Sequence, residues 1–177
     1  MRVAHSCNVL IGDYLFQRQL KEEVLTLLKT SNPIPKESTN VKAFHTVWNW
    51  EPDNLRIKNL KSFILAEIER HFQPGSMKDA TRAPLKMGNF WANVYYKGDY
   101  ADSHHHNPYT FSFAYFLKCE NYHSPLIFSE SGKKVPPKEG RFVIFPAYLK
   151  HHVPKQQHDD TRITLSGNCI CEIDFFK

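Results

Sequence analysis

Two stretches decide the fold of this chain: Ser103-His104-His105-His106-Asn107 and Phe145-Pro146-Ala147-Tyr148-Leu149-Lys150-His151. On a β-strand, successive side chains point to opposite faces, so His104 and His106 share a face. Two imidazoles on one face chelate Fe, Zn, Cu or Ni, and a third ligand from a distant strand leaves coordination positions open. His151 is the candidate third ligand. The alternative is a polar strand end or an adventitious metal-binding surface, since short His-rich tracts are weak signals.

Length and composition predict one domain over residues 1–177, which is large enough to bury a hydrophobic core without disulfides or structural metal ions. No apolar run approaches the roughly 20 residues that a transmembrane helix needs. The N-terminus lacks an apolar signal core, which favours a cytoplasmic protein. The net charge of +5 comes from scattered Lys and Arg, so it permits an acidic partner without indicating nucleic acid.

The first half of the chain predicts helices. Apolar residues recur near a 3.6-residue period from Tyr14 to Lys29, with Asp13 as a candidate N-cap. A second apolar stripe runs to Phe72 behind Asp53, a further candidate N-cap. Three other predictions are a first strand over residues 3–11, a short strand within 39–50, and a helix end at Pro74-Gly75.

The second half of the chain predicts strands. Aromatic and β-branched residues alternate between turn signals, a pattern typical of a half-buried sheet. Two early helices followed by many short strands indicate an antiparallel β-sandwich or barrel backed by helices, an α+β arrangement that is mainly β. The helical support spans about residues 1–75 and the β core about 85–177, with strands expected at 89–96, 110–117, 125–128, 141–145, 162–166 and 170–175.

An arginine on the predicted strand after His151 adds a positively charged side chain to the three candidate histidines. Arg162 follows His151 by eleven positions, so the two can converge at the mouth of a barrel. Its guanidinium is a fixed fork of donors suited to a carboxylate. Alone, it would be interpreted as an exposed strand residue. Asn93, Tyr95 and Tyr115 are candidates for the pocket lining, although aromatic strand residues are more often simple core.

Taken together, these stretches resemble the small 2-oxoglutarate/Fe(II) oxygenases of bacteriophage genomes, relatives of the prolyl 4-hydroxylase-like dioxygenases. The resemblance covers roughly residues 89–170 and is carried by residues 91–100, His104-x-His106, 112–117, 140–146, His151 and Arg162-Ile163-Thr164. It implies a double-stranded β-helix, the cupin-like jelly roll, with iron at its mouth.

The resemblance implies a role for each matched residue. His104, His106 and His151 are the expected metal ligands, and no other catalytic residue is expected. Arg162 pairs with the 5-carboxylate of 2-oxoglutarate, and Thr164 places a hydroxyl beside it. One position departs from the family pattern, because the wider superfamily has Asp or Glu where this chain has His106. Three neutral imidazoles leave the metal with more net positive charge than two imidazoles and a carboxylate.

The function expected from this resemblance is an Fe(II)- and 2-oxoglutarate-dependent dioxygenase that uses O2, hydroxylates an unidentified substrate and decarboxylates 2-oxoglutarate to succinate and CO2. The expected partners are 2-oxoglutarate and a small-molecule or peptide substrate. The sequence leaves homodimer formation undecided, and no membrane association is expected. A phage-encoded protein would act in the host cytoplasm. The alternatives are a cupin-type dioxygenase or isomerase, and a non-catalytic metal-binding jelly roll. A fourth ligand such as His105 or His152 would favour the last, since structural zinc is four-coordinate.

Overall fold

The computed structural model describes residues 7–72 and 84–171. Two α-helices lie in this part of the chain, α1 at Gln17–Leu28 and α2 at Leu55–Phe72. The strands are β1 Leu10–Asp13, β2 Val41–Lys42, β3 Phe44–His45, β4 Leu85–Tyr95, β5 Tyr100–His104, β6 Phe111–Lys118, β7 Leu126–Phe128, β8 Lys134–Val135, β9 Arg141–Pro146, β10 His151–Val153 and β11 Arg162–Cys171.

The strands form two sheets in which every pair of neighbouring strands is antiparallel. The six-stranded major sheet has the order β1-β9-β6-β11-β4-β3, and the five-stranded minor sheet has the order β2-β5-β10-β7-β8. Apart from β3-β4 and β7-β8, neighbouring strands are not consecutive in the chain, as expected when a chain crosses repeatedly between two sheets. The predicted jelly roll, mainly β with helices near the N-terminus, is confirmed.

The long strand β11 lies at the centre of the major sheet and separates two environments. It pairs with β4 along its whole length and with β6 from Ile163 to Cys169. Ile163 and Leu165 belong to the core that the sheet shares with the helices, whereas Arg162 and Thr164 line a cavity on the opposite face. Strand alternation therefore points the polar side chains of β11 away from the helical core.

The helices pack against the major sheet through their apolar stripes. Burial of one such side chain stabilises the fold by about 1.5–3 kcal/mol. Because this core holds β4, β6 and β11 in place, it also positions every polar residue on their opposite face. The fully buried helix residues are Leu20 and Val24 of α1, and Ile57, Leu60, Ile64 and Ile68 of α2.

Several predicted boundaries are wrong for local reasons. Asp13 ends β1, and α1 begins only at Gln17. The cap of α2 is Asn54 rather than Asp53, because the Asn54 side-chain oxygen accepts the backbone N–H groups of Arg56 and Ile57, each at 3.0 Å. The last two predicted strands are one strand, β11, whose register shifts between Asn168 and Cys169.

Some predictions fall wholly or partly outside the described residues. These are the beginning of the first strand at Val3, the Pro74-Gly75 helix end and the end of the strand predicted to reach Phe175. Within residues 7–72 and 84–171, no helix has the length and apolar character needed to span a membrane.

Candidate metal centre and anion pocket

Three histidines converge at the open end of the minor sheet. His104 ends β5 and is directly opposite His151, the first residue of β10. The ring centroids lie 4.5 Å apart for His104 and His151, 4.9 Å for His104 and His106, and 5.1 Å for His106 and His151. One ligand atom from each ring falls within 4.8 Å of the others. The three histidines are therefore close enough to hold a single metal ion.

His106 reaches the cluster by a different route from the one that strand alternation predicts. Strand β5 ends at His104, and His106 lies in the turn that follows. Its backbone N–H donates to the carbonyl of Ala147 at 2.8 Å, which ties this turn to the segment before His151. The expectation that both histidines lie on one strand is therefore wrong, although the structure brings their rings together.

Hydrogen bonds orient two of the rings for metal binding. His104 donates from Nδ1 to the carbonyl of Asp102 at 2.6 Å, and His151 donates from Nδ1 to the carbonyl of Leu149 at 2.9 Å. Because a carbonyl only accepts, the proton of each neutral ring is on Nδ1 and the Nε2 lone pair is free. Metal-binding histidines generally donate such a hydrogen bond from the ring nitrogen that does not contact the metal, and the bond fixes the tautomer and the ring orientation.

Burial keeps the three rings neutral. Loss of hydration lowers the pKa of His106 to about 2 and that of His151 to about 3, and it also lowers the pKa of His104. At neutral pH each of the three imidazoles is therefore uncharged and keeps one nitrogen lone pair available for a metal. The residues present fit a divalent metal that accepts nitrogen ligands, such as Fe(II).

The two neighbouring histidines do not join the cluster. His105 is exposed, and its Nδ1 accepts the backbone N–H of Asn107 at 3.3 Å. His152 contacts the Ser129 hydroxyl through Nδ1 at 2.9 Å. No fourth His, Cys, Asp or Glu completes the group among the residues that the structure describes. Three protein ligands leave open positions, as in catalytic rather than structural metal sites.

A cavity extends from the histidines between the two sheets and ends in polar residues of the major sheet. Its lining includes His104, His106 and His151 at one part, and Asn93, Tyr95, Arg162 and Thr164 at another. Phe145 and Leu126 supply apolar walls. The cavity therefore joins a candidate metal site to a buried cation.

Arg162 is the most unusual residue of this cavity. Its side chain is only 1% exposed, and its guanidinium lies 4.8 Å from the ring of Tyr95 and 5.2 Å from that of Phe116. Nε and Nη1 have no hydrogen-bond partner, and no ion pair of Arg162 is found within the described ranges. A buried charge without a counterion is costly, so this arrangement calls for an anionic ligand.

The groups around Arg162 do not supply that anion. Burial raises the pKa of the Tyr95 hydroxyl and raises the pKa of the Cys119 thiol to about 12, so both are neutral. Thr164 lies two residues along the same face of β11, and the Asn93 amide nitrogen donates to its hydroxyl at 3.4 Å. The site offers donors without a matching acceptor charge, which is the arrangement that a carboxylate requires.

One predicted pocket residue is placed elsewhere. Tyr115 lies on the face of β6 that packs against the helices, where its ring centroid is 6.1 Å from that of Tyr14. It does not line the cavity, because alternation along β6 directs Ala114 and Phe116 to the other side.

Sequence reasoning missed several residues that line the cavity, and Trp91 is the largest of them. Trp91 precedes Asn93 and Tyr95 by two and four positions, so it shares their face of β4. The same alternation that singled out the other two could have identified it. Its indole N–H is buried without a hydrogen-bond partner among the described residues.

Comparison with known proteins supports the same family. Residues 128–168, which include β8, β9, β10 and most of β11, match a family model described as "Putative 2OG-Fe(II) oxygenase". The resemblance predicted from the sequence is confirmed by this match. A search of curated proteins gave no significant match.

Solved structures of similar fold are numerous. The viral collagen prolyl hydroxylase of Paramecium bursaria Chlorella virus-1, solved as a 2OG complex, has a TM-score of 0.67 and 13% identity, over 91% of this chain and 94% of that one. A Pseudomonas putida prolyl-4-hydroxylase has a TM-score of 0.67 and 14% identity, over 93% and 92%. A Trichoplax adhaerens prolyl hydroxylase, in complex with a hypoxia inducible factor peptide, has a TM-score of 0.64 and 16% identity, over 92% of this chain and 83% of that one. At these identities the likeness shows the fold.

Proposed function

We propose that this protein is an Fe(II)- and 2-oxoglutarate-dependent dioxygenase that hydroxylates its substrate. The family match supports the predicted enzyme class and its cofactors, Fe(II), 2-oxoglutarate and O2. The observation that carries the proposal is the buried, unpaired Arg162 in the same cavity as three neutral histidines.

Each end of the cavity has its own task. His104, His106 and His151 would hold the metal through their free ring nitrogens, and the bonds to the Asp102 and Leu149 carbonyls orient two of the rings. The bound Fe(II) would supply the oxygen chemistry that couples decarboxylation of 2-oxoglutarate, to succinate and CO2, with hydroxylation of the substrate.

The major sheet would hold the far end of the co-substrate. Arg162 offers two unused N–H donors to a carboxylate, and Thr164 offers a hydroxyl on the same face. Burial strengthens these bonds, because little water competes for the donors. The Phe145 and Leu126 side chains exclude water along the cavity wall.

The cupin-type and structural-zinc alternatives lack a comparable observation. A cupin-type enzyme would have no use for a buried guanidinium with two free donors. A closed zinc site needs a fourth ligand, and His105 and His152 have other contacts.

Anaerobic titration tests the proposal directly. Addition of 2-oxoglutarate to the Fe(II)-loaded protein should produce the visible absorption of a metal chelate, with one equivalent at saturation. Admission of O2 with a suitable substrate should then release succinate. A protein that binds Fe(II) but gives no chelate absorption would contradict the proposal.

A further inference from the structure

A second opening adjoins the candidate metal site on the side away from Arg162. It is a cleft of about 360 Å³, lined in part by His104 and His106. The rest of its lining consists of three aromatic residues, one aliphatic residue, five polar residues without ionisable groups and one more histidine: Trp48, Trp91, Tyr109, Val41, Thr39, Asn40, Asn89, Asn107, Asn168 and His105. No Asp, Glu, Lys or Arg of the described chain lines it, so it offers no partner for a charged group.

A chain of hydrogen bonds leads from the protein interior to this cleft. The buried Ser112 hydroxyl donates to the side-chain oxygen of Asn168 at 2.7 Å. The Asn168 amide nitrogen donates to the side-chain oxygen of Asn89 at 2.8 Å. The Asn89 amide nitrogen then donates to the Tyr109 hydroxyl at 3.1 Å.

The direction of this chain determines what Tyr109 can do. Each carboxamide accepts through oxygen and donates through nitrogen, so all the protons point from Ser112 toward Tyr109. The Tyr109 hydroxyl accepts, which leaves its own proton to donate. Within residues 7–72 and 84–171 it donates to no side chain or backbone group. Tyr109 therefore presents a fixed donor at the cleft.

The backbone holds Tyr109 close to the metal site. Its N–H donates to the carbonyl of His106 at 3.0 Å, so one turn carries both residues. The Tyr109 ring lies against Gly88 of β4, where an added Cβ would be 2.5 Å from the ring atom Cε1. A side chain at position 88 would displace the ring.

Two tryptophans also line the cleft. The ring centroids of Trp48 and Trp91 lie 4.8 Å apart in an edge-to-face arrangement, and Trp48 is 39% exposed. The buried Trp91 N–H is a second donor without a partner in the described chain. An aromatic wall favours a ring or apolar group, and unpaired donors favour a neutral acceptor oxygen.

We propose that this cleft binds the primary substrate through an uncharged ring that bears a carbonyl oxygen, and that Tyr109 donates a hydrogen bond to that oxygen. The assignment rests on the proposed function, because it makes the cleft the substrate side of the metal centre. Tyr109 is a binding and specificity residue, and Gly88 positions it.

Three five-membered ring compounds of similar size test this assignment. They are 2-pyrrolidinone, a neutral lactam; pyrrolidine, a cation at neutral pH; and cyclopentane, which has no polar group. Binding to the full chain loaded with Zn(II) is followed by NMR through the indole N–H signals. The chain has three tryptophans, and Trp50 is an internal control because its N–H donates to Ser31 at 3.1 Å outside the cleft.

The lactam should shift the Trp48 and Trp91 signals, leave Trp50 unchanged and bind more tightly than the other two compounds. Tyr109→Phe should weaken lactam binding about three- to tenfold, as expected for one neutral hydrogen bond, and leave cyclopentane unaffected. Gly88→Ala should reproduce this loss. Tyr122→Phe, which removes a hydroxyl bonded to Asp160 away from the cleft, should have no effect.

Equal lactam affinity in wild type and Tyr109→Phe, or preferred binding of pyrrolidine or cyclopentane, would overturn the assignment. A parallel titration with 2-oxoglutarate separates this result from the proposed function. Loss of 2-oxoglutarate binding with intact lactam binding contradicts only the oxygenase proposal. The reverse result contradicts only the cleft assignment.

Discussion

The two sheets hold their functional residues in different ways. On the major sheet, Arg162, Thr164 and Asn93 are 1–3% exposed and lie on long strands paired on both sides. At the minor sheet, His104 and the turn residue His106 are half-buried, whereas His151 is buried, and β5 and β10 have few paired residues. The major sheet therefore forms a rigid candidate anion pocket, and the minor sheet forms a more open candidate metal site in which single carbonyl groups orient His104 and His151.

This difference suits the two sheets to two separate functions, which are co-substrate binding and metal binding. A co-substrate carboxylate benefits from a dry site, where hydrogen bonds are strong and little reorganisation is needed. A metal that must also admit O2 and a substrate needs open positions. The two functions should therefore be separable by mutation.

The largest effect is expected at the minor sheet. Alanine at His104, His106 or His151 removes one of three ligands and should lower Fe(II) or Zn(II) affinity on the order of a hundredfold or more. Alanine at His105 or His152 is the control and should change affinity little. Competition with a coloured chelator measures each dissociation constant. Equal losses at all five positions would indicate a nonspecific histidine surface.

A smaller and separate effect is expected at the major sheet. Arg162→Ala removes the buried cation and should weaken 2-oxoglutarate binding about ten- to a hundredfold or more, with unchanged metal content. Arg70→Ala is the control, since Arg70 is an exposed residue of α2 that pairs with Glu67 and does not line the cavity. Anaerobic titration of the Fe(II) proteins provides the measurement. Loss of metal together with 2-oxoglutarate binding would show that the two sites are not separable.

The edge of the major sheet should respond to acid. Burial lowers the pKa of His45 to about 4, whereas an unfolded histidine titrates near 6.5. Unfolding therefore takes up a proton between these values, so the stabilising contribution is complete above about pH 6.5 and is lost as the pH falls toward 4.

His45→Gln should therefore reduce the acid sensitivity of unfolding. The difference in unfolding free energy between wild type and His45→Gln is expected to change by about 1–2 kcal/mol between pH 7 and pH 5. Urea unfolding of the metal-free proteins at both pH values measures it, with the exposed His158→Gln as the control. Parallel pH profiles of wild type and His45→Gln would show that the edge of the sheet is hydrated.

The smallest effect should come from restoring the usual ligand type. In His106→Asp, a carboxylate reproduces the common facial set of two histidines and one acid, so Fe(II) affinity should stay within about tenfold of wild type. Binding no better than that of His106→Ala would show that position 106 is not a ligand. The same chelator competition provides the comparison.

Much of the fold was predictable from local patterns. The alternation in residues 89–96 and 110–117 predicted β4 and β6, and the apolar stripe ending at Phe72 predicted α2. Boundaries were less predictable, because caps and bulges depend on individual hydrogen bonds. Asn54 rather than Asp53 caps α2 because its side chain reaches two backbone N–H groups.

The sequence by itself determined which residues are candidates for the chemistry: the spacing of His104, His106 and His151 and the position of Arg162 are visible without coordinates. Only the tertiary structure decided how they are arranged. The turn after β5, and not strand alternation, brings His106 to the other rings, and the pairing of β11 with β4 and β6 buries Arg162 without a counterion. The local sequence pattern indicates which residues share a face of a strand. Burial and unpaired hydrogen-bond donors depend on strands that are distant in the sequence.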